Sequence, residues 1–154
     1  MRLVVAVVGK ARNPALGEAI RDYETRAARY WPLDVHEVRE EKASGISLDR
    51  LKEREAVRLS ARIPVRAQTV ACESGGKSFD STQFAEFLRA ARDEDRDVAF
   101  LIGGAFGLAN DVSSASAMKL SLAPWTLPHE IARLVLVEQI YRAGTIVRGE
   151  PYHK

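Results

Sequence analysis

Hydrophobic residues along the chain fall in short blocks divided by polar punctuation, and their spacing switches between continuous runs and three- or four-residue steps. That change of period marks strands exchanging with helices. Leu3–Val8 is an unbroken apolar run, as expected of a strand covered on both faces, and the Asn13-Pro14 pair behind it offers an N-cap and a pre-organised first helical residue. Leu16, Ile20, Tyr23, Ala27 and Tyr30 then line one helical face, which Pro32 ends. Leu33–Arg39 alternates like a half-exposed strand, and a charged, glycine-containing loop over 40–47 leads into a second helix from about Leu48 to Arg62. Gln68–Glu73 reads as a third strand broken by Gly75-Gly76. Asp80 and Gln83 then have capping-box spacing ahead of Phe84, Phe87, Leu88 and Ala91. Val98–Ile102 is again wholly apolar and runs into the glycine-rich stretch 103–107. A modest helix near Asp111–Ala117, a short strand over Met118–Leu122 and a last helix from about Pro128 to Arg142 complete the order. The alternation predicts an α/β fold, a mostly parallel sheet with helices on both faces, in a single domain over 1–154.

At 154 residues, 46% hydrophobic and 29% charged, the chain has the size and composition of one compact domain. Its one cysteine, Cys72, has no intrachain partner, so a reducing cytoplasm is the expected compartment. The apolar run after Met1-Arg2 superficially resembles an export signal, but it is six residues long and Lys10 and Arg12 follow it; the strand reading stands. The uncharged stretch Val98–Asn110 contains three glycines and falls short of the roughly 18 apolar residues of a membrane span. No membrane partner is expected. A net charge of +2 does not demand a polyanion, although the basic residues favour the front half of the chain. Solvated helix faces explain that bias, and so does contact with a phosphate backbone.

In a parallel α/β sheet, ligands bind beyond the carboxyl ends of the strands, here the loops after Glu73, Ile102 and Leu122. Gly103, Gly104 and Gly107 in the middle loop let a ligand approach the backbone, yet such a stretch is equally a tight turn with no ligand. Gly75-Gly76-Lys77-Ser78 fails as a phosphate loop, because Ala71 stands where the opening glycine belongs and Gly103 where a magnesium-binding carboxylate is needed. His36, His129, His153 and Cys72 lack ligand spacing, so no metal is expected. Neither a Ser-His-Asp arrangement nor a nucleophile elbow is visible.

Thr126-Leu127-Pro128-His129, Tyr141-Arg142 and the closing Pro151-Tyr152-His153 form a specific set. With the short N-terminal strand, the Gly103-Gly104 loop and Gly107-Leu108, they resemble the ribosomal RNA large subunit methyltransferase H family of the SPOUT class over essentially the entire chain. The resemblance implies an S-adenosylmethionine-dependent enzyme that methylates N3 of a pseudouridine in large-subunit (23S) ribosomal RNA. It also implies a homodimer acting on the assembled ribosome, and a deep trefoil knot near the C-terminus. By position, it assigns cofactor contacts to Cys72, Gly103, Leu122, Ala123, Pro124, Trp125, Thr126 and Leu127. Cys72 departs from the family's common leucine, and Ala105-Phe106 from a frequent Pro-Glu pair.

A sulfonium donor brings its own activated methyl, so alignment and exclusion of water suffice and no metal is required. The imide N3 of pseudouridine must lose a proton to become nucleophilic. On the resemblance, His153 is the expected base, Arg142 offsets the developing charge, and Tyr152 stacks on or hydrogen-bonds the flipped-out nucleotide. The competing readings are an i,i+4 ion pair between Glu138 and Arg142 and an unfixed chain end at Tyr152-His153. His129 is expected to make a structural hydrogen bond, and Trp125 to pack in the core or at a dimer contact. Leu134–Val137, apolar on all sides of the last helix, points to a subunit interface. The runner-up function is a non-catalytic ribosome-binding or assembly factor with the same fold; a small-molecule methyltransferase leaves the basic front half without a purpose.

Overall fold

The computed structural model describes residues 1–154. Its elements are β1 (Leu3–Val8), α1 (Pro14–Ala27), β2 (Leu33–Val38), α2 (Leu48–Ser60), β3 (Gln68–Ser78), α3 (Ser81–Asp93), β4 (Val98–Ile102), α4 (Asn110–Ala115), β5 (Met118–Ser121) and α5 (His129–Val147). All five strands are parallel, in the order β2-β1-β4-β3-β5. β1 lies inside the sheet, paired in register with β2 on one side and β4 on the other. Its continuous apolar run has this cause: every residue of β1 is buried.

The crossovers β1→β2 and β3→β4 travel in one direction, β2→β3 and β4→β5 in the other. Right-handed connections therefore place α1 and α3 on one face and α2 and α4 on the opposite face. The apolar clusters follow this division. Leu3, Val5 and Val7 pack with Ala27, Phe84, Leu88, Leu136 and Ile140 of α1, α3 and α5, while Ala6 and Val8 pack with Leu59 and Leu108 beneath α2. The caps form as the sequence signals. Asn13 Oδ1 accepts from the amides of Ala15 (2.9 Å) and Leu16 (3.3 Å), and Asp80 and Gln83 make a reciprocal box at 2.7 and 3.0 Å. Each such cap stabilises its helix by about 1 kcal/mol.

Three expectations need correction. Gly75-Gly76 does not end β3; the strand bulges between Cys72 and Lys77 and resumes its pairing with β5 at Leu120 and Ser121. A Cβ at Gly76 would stand 2.6 Å from the Leu120 backbone, so glycine is what allows the two chains to pass. α5 continues to Val147, five residues beyond Arg142, because Ala143, Gly144 and Thr145 remain buried and Gly144 admits the Tyr30 ring. The all-round apolar stretch of α5 is largely explained within one chain. Leu136 and Val137 are fully buried, leaving only Leu134 and Val135 half-exposed for a partner.

Two polar ties hold α5 in place. The buried Trp31 indole donates to the Ile140 carbonyl at 3.0 Å. Arg133, only 6% exposed, pairs with Glu24 of α1 at 2.7 Å and Glu37 of β2 at 2.5 Å. Both carboxylates meet a guanidinium that has no other access to charge compensation, so breaking the set is costly.

Candidate active site

The three strand-end loops converge with the first turn of α5 on a cleft of about 770 Å³. Its floor is the turn after β4. The Gly107 amide donates to the Gly104 carbonyl at 3.0 Å, and Gly107 takes a φ of +79° that favours glycine. A Cβ at Gly103 would lie 2.5 Å from the Gly107 carbonyl carbon, so the turn closes only around glycine. On the far side of this turn sits Glu55, a buried carboxylate of α2 that accepts from the Glu41 amide at 2.9 Å. Its oxygens lie 3.1 and 3.4 Å from where a Gly104 Cβ would be, and burial raises its pKa.

The wall opposite is the loop between β5 and α5. Leu122–Leu127 donate no backbone hydrogen bond within the chain; the loop's one fixed contact is Ser121 Oγ donating to the Ala123 carbonyl at 2.8 Å. Its amides are thus free to meet an occupant of the cleft. Seven of the expected cofactor contacts line that space: Cys72, Gly103, Leu122, Ala123, Trp125, Thr126 and Leu127. Pro124 is exposed and lies outside the lining. Burial, helped by the Glu73 charge, pushes the Cys72 thiol up to about 12, so it presents a neutral, weakly polar surface.

Other cleft residues have no sequence signal. Lys52 of α2 enters the lining, though its spacing matches a solvated helix face, and it forms no ion pair. Glu73, the acidic residue of the lining, pairs with Lys119 at 3.8 Å. His129 also lines the cleft, but its structural hydrogen bond is not made. Its Nε2 is buried without a partner, and the ring fills the space a side chain at Gly9 would take. Trp125 does not pack in the core; it is 77% exposed.

Arg142, Tyr152 and His153 stand apart from this cleft. Arg142 donates to Glu138 Oε1 from Nε (3.1 Å) and Nη2 (2.6 Å), the i,i+4 pair, and its guanidinium lies 4.6 Å from the Tyr152 ring centroid. The Tyr152 hydroxyl donates to the same Glu138 oxygen at 3.0 Å, and its ring meets Tyr141 edge-on at 4.7 Å. Tyr152 is therefore anchored rather than unfixed. Burial and these bonds raise its pKa, which keeps the hydroxyl a donor. His153 is exposed. Arg142 follows the cleft residue Ala132 by ten positions, about 15 Å along the helix at 1.5 Å per residue. One chain thus brings seven of the expected cofactor contacts together and leaves the expected catalytic group at the other end of α5.

No cluster of three or more His, Cys, Asp or Glu side chains is placed to hold a metal ion, and no helix is long and apolar enough to cross a membrane. Comparison with known proteins gives one answer. The family model described as "Predicted SPOUT methyltransferase" matches residues 1–153. A ribosomal RNA large subunit methyltransferase H from Gemmatimonas aurantiaca is 58% identical over 154 residues, covering all of both chains. Another from an Anaeromyxobacter species is 43% identical over 155 residues, again covering all of both. Among solved structures, a probable methylase family protein from Haemophilus influenzae superposes with a TM-score of 0.57 at 14% identity, covering 99% of this chain and 70% of that one, a likeness of fold. With its length matched end to end and its strand-end cleft intact, the chain belongs to the SPOUT methyltransferase family.

Proposed function

We propose that the chain transfers the methyl group of S-adenosylmethionine to N3 of a pseudouridine in large-subunit (23S) ribosomal RNA, as a cytoplasmic homodimer working on the ribosome. The name shared by its full-length relatives supports the substrate. The observation that carries the cofactor is the cleft itself: a turn too tight for a Cβ at Gly103 faces a loop whose amides have no partners of their own. A ligand with a flat apolar base and several hydrogen-bonding edges fits that pairing. Cys72, Leu122 and Leu127 offer apolar contact to an adenine, and Gly103 with the amides over 122–127 offers contacts to its polar edges.

When bound, S-adenosylmethionine supplies a methyl group already activated on its sulfonium. The chain's residues align the acceptor and handle its proton. Arg142, held by Glu138, presents a cation to a base that becomes anionic, Tyr152, its hydroxyl donated to the same carboxylate, presents its ring for stacking, and His153 beside them takes the N3 proton. Because these residues sit about 15 Å along α5 from their own cleft, the tail of one protomer serves the cleft of its partner. The trefoil knot belongs to the same reading.

Mass spectrometry of large-subunit RNA, with and without the protein, tests the reaction; the expected gain is one methyl on one pseudouridine. Calorimetry without uptake of S-adenosylmethionine would instead mark a ribosome-binding factor that does not transfer methyl groups. His153→Ala is expected to lower turnover at nearly unchanged donor affinity. Mixing His153→Ala subunits with cleft-defective Gly103→Ala subunits tests the shared site: a two-fold dimer that pairs one tail with the other cleft recovers about a quarter of wild-type activity. No recovery would return the tail to its own protomer.

A further inference from the structure

Two of the chain's exposed large hydrophobic side chains are aromatic, Phe106 at 45% and Trp125 at 77%, and both line the cleft. Phe106 projects from the glycine turn and Trp125 from the loop opposite, so the rings flank the opening from two sides. Neither is needed to close the core, which is complete beneath them. Lys52 joins them in the lining, a cation with no ion pair, whereas its helix neighbours Arg50, Arg54 and Arg58 are each paired to Glu53 or Glu41. Two aromatic faces held in water at one cleft mouth are an exposed apolar patch of the kind that marks a binding site, and the unpaired ammonium beside them is free to meet an anion.

We infer that Phe106, Trp125 and Lys52 form a subsite for an unstacked nucleotide of the RNA substrate, its base against the aromatic faces and an adjoining phosphate on Lys52. The chemistry is that of single-stranded nucleic-acid recognition: every base has a π-face, and every linkage a negative charge. The donor's contacts lie deeper, on Cys72, Gly103 and the loop amides, so the subsite and the donor share the cleft without competing.

This inference rests on the proposed RNA reaction, so wild-type methylation of unmethylated large subunits is measured first; its absence would overturn that reading and this one together. Given wild-type activity, Phe106→Ala and Trp125→Ala are expected to raise KM for the ribosomal substrate by roughly fivefold to a hundredfold. The donor Kd should change less than about twofold, because Trp125 offers the donor its backbone amide, which the substitution keeps, and Phe106→Tyr should behave as wild type. Lys52→Ala should flatten the dependence of log K on log salt, at fixed magnesium, by about 0.7 to 0.9. A donor Kd that rises in step with the RNA KM would place the rings in the cofactor wall. Dissociation of the variants in sedimentation would place them in a subunit interface. Either result, or unchanged RNA kinetics, overturns the inference.

Discussion

Gly103→Ala is the sharpest probe of the cleft floor. An ordinary Cβ contact is 3.4 Å or longer, while this one would be 2.5 Å from Gly107 and 2.7 Å from the Leu108 amide, so the backbone must part by about 0.9 Å. Both opposing groups are main chain and cannot swing aside. Parting them breaks the 3.0 Å bond from the Gly107 amide to the Gly104 carbonyl, a loss of about 1 kcal/mol, and strains the surrounding packing by about 1–3 kcal/mol more. The sum of about 2–4 kcal/mol is less than the 5–15 kcal/mol typical of a domain, so the variant folds. At about 2–4 °C per kcal/mol for a chain of this size, Tm falls by about 4–16 °C. Displacing a cleft wall by nearly an ångström should weaken donor binding at least about tenfold in calorimetry. Gly75→Ala is the matched control. It lines the same cleft, has nothing within 4 Å of its Cβ position, and should stay within about 0.5 kcal/mol of wild type. A Gly103→Ala protein with wild-type Tm and donor affinity would refute the reasoning.

Three further outcomes follow from buried polar groups. Arg133→Met leaves the half-buried Glu24 and the exposed Glu37 facing each other without their cation and, with water screening both, should cost about 1–3 kcal/mol in urea unfolding, part of it recovered by adding Glu24→Gln. With its thiol pushed up to about 12, Cys72 should react with a disulfide reagent at pH 8 at least about tenfold slower in the folded protein than in the urea-unfolded chain; equal rates would show the thiol to be open. Burial raises the Glu55 pKa above its ordinary 4.5, so the folded state holds that proton more tightly than the unfolded one. This contribution to stability therefore falls as pH rises from 4.5 towards neutrality. Glu55→Gln keeps an acceptor for the Glu41 amide and should be more stable than wild type at pH 7.5, by a margin that shrinks towards pH 5; a margin that grows instead would reverse the assignment.

What could be read from the sequence was local. The apolar run of β1, the Asn13 cap and the Asp80–Gln83 box are decided within a few residues, and each forms where the spacing places it. The strand order was not legible, because nothing near Leu3–Val8 says that β4, some ninety residues on, is its neighbour. Gly75-Gly76 misleads for a related reason: the glycines serve a close passage over β5, and a partner forty residues away decides whether they break a strand or bend it. In the cleft, the expected loop contacts followed from family likeness, whereas Lys52 there, and the buried Glu55 and Arg133 outside it, sit on amphipathic elements whose charges look like solvated faces. Burial of a charge depends on partners supplied by other elements, and helical spacing carries no record of them.

The central place of β1 has a consequence for how the chain is made. One edge of this strand is satisfied once β2 emerges, but the other waits for β4, about sixty residues later than the end of β2. At roughly 5–20 residues per second, that interval is roughly 3–12 s, during which six consecutive aliphatic side chains and an open row of amides lack their final cover. Nascent-chain capture by hydrophobic holdases should therefore peak in that window, and fall once Val98–Ile102 has cleared the exit tunnel.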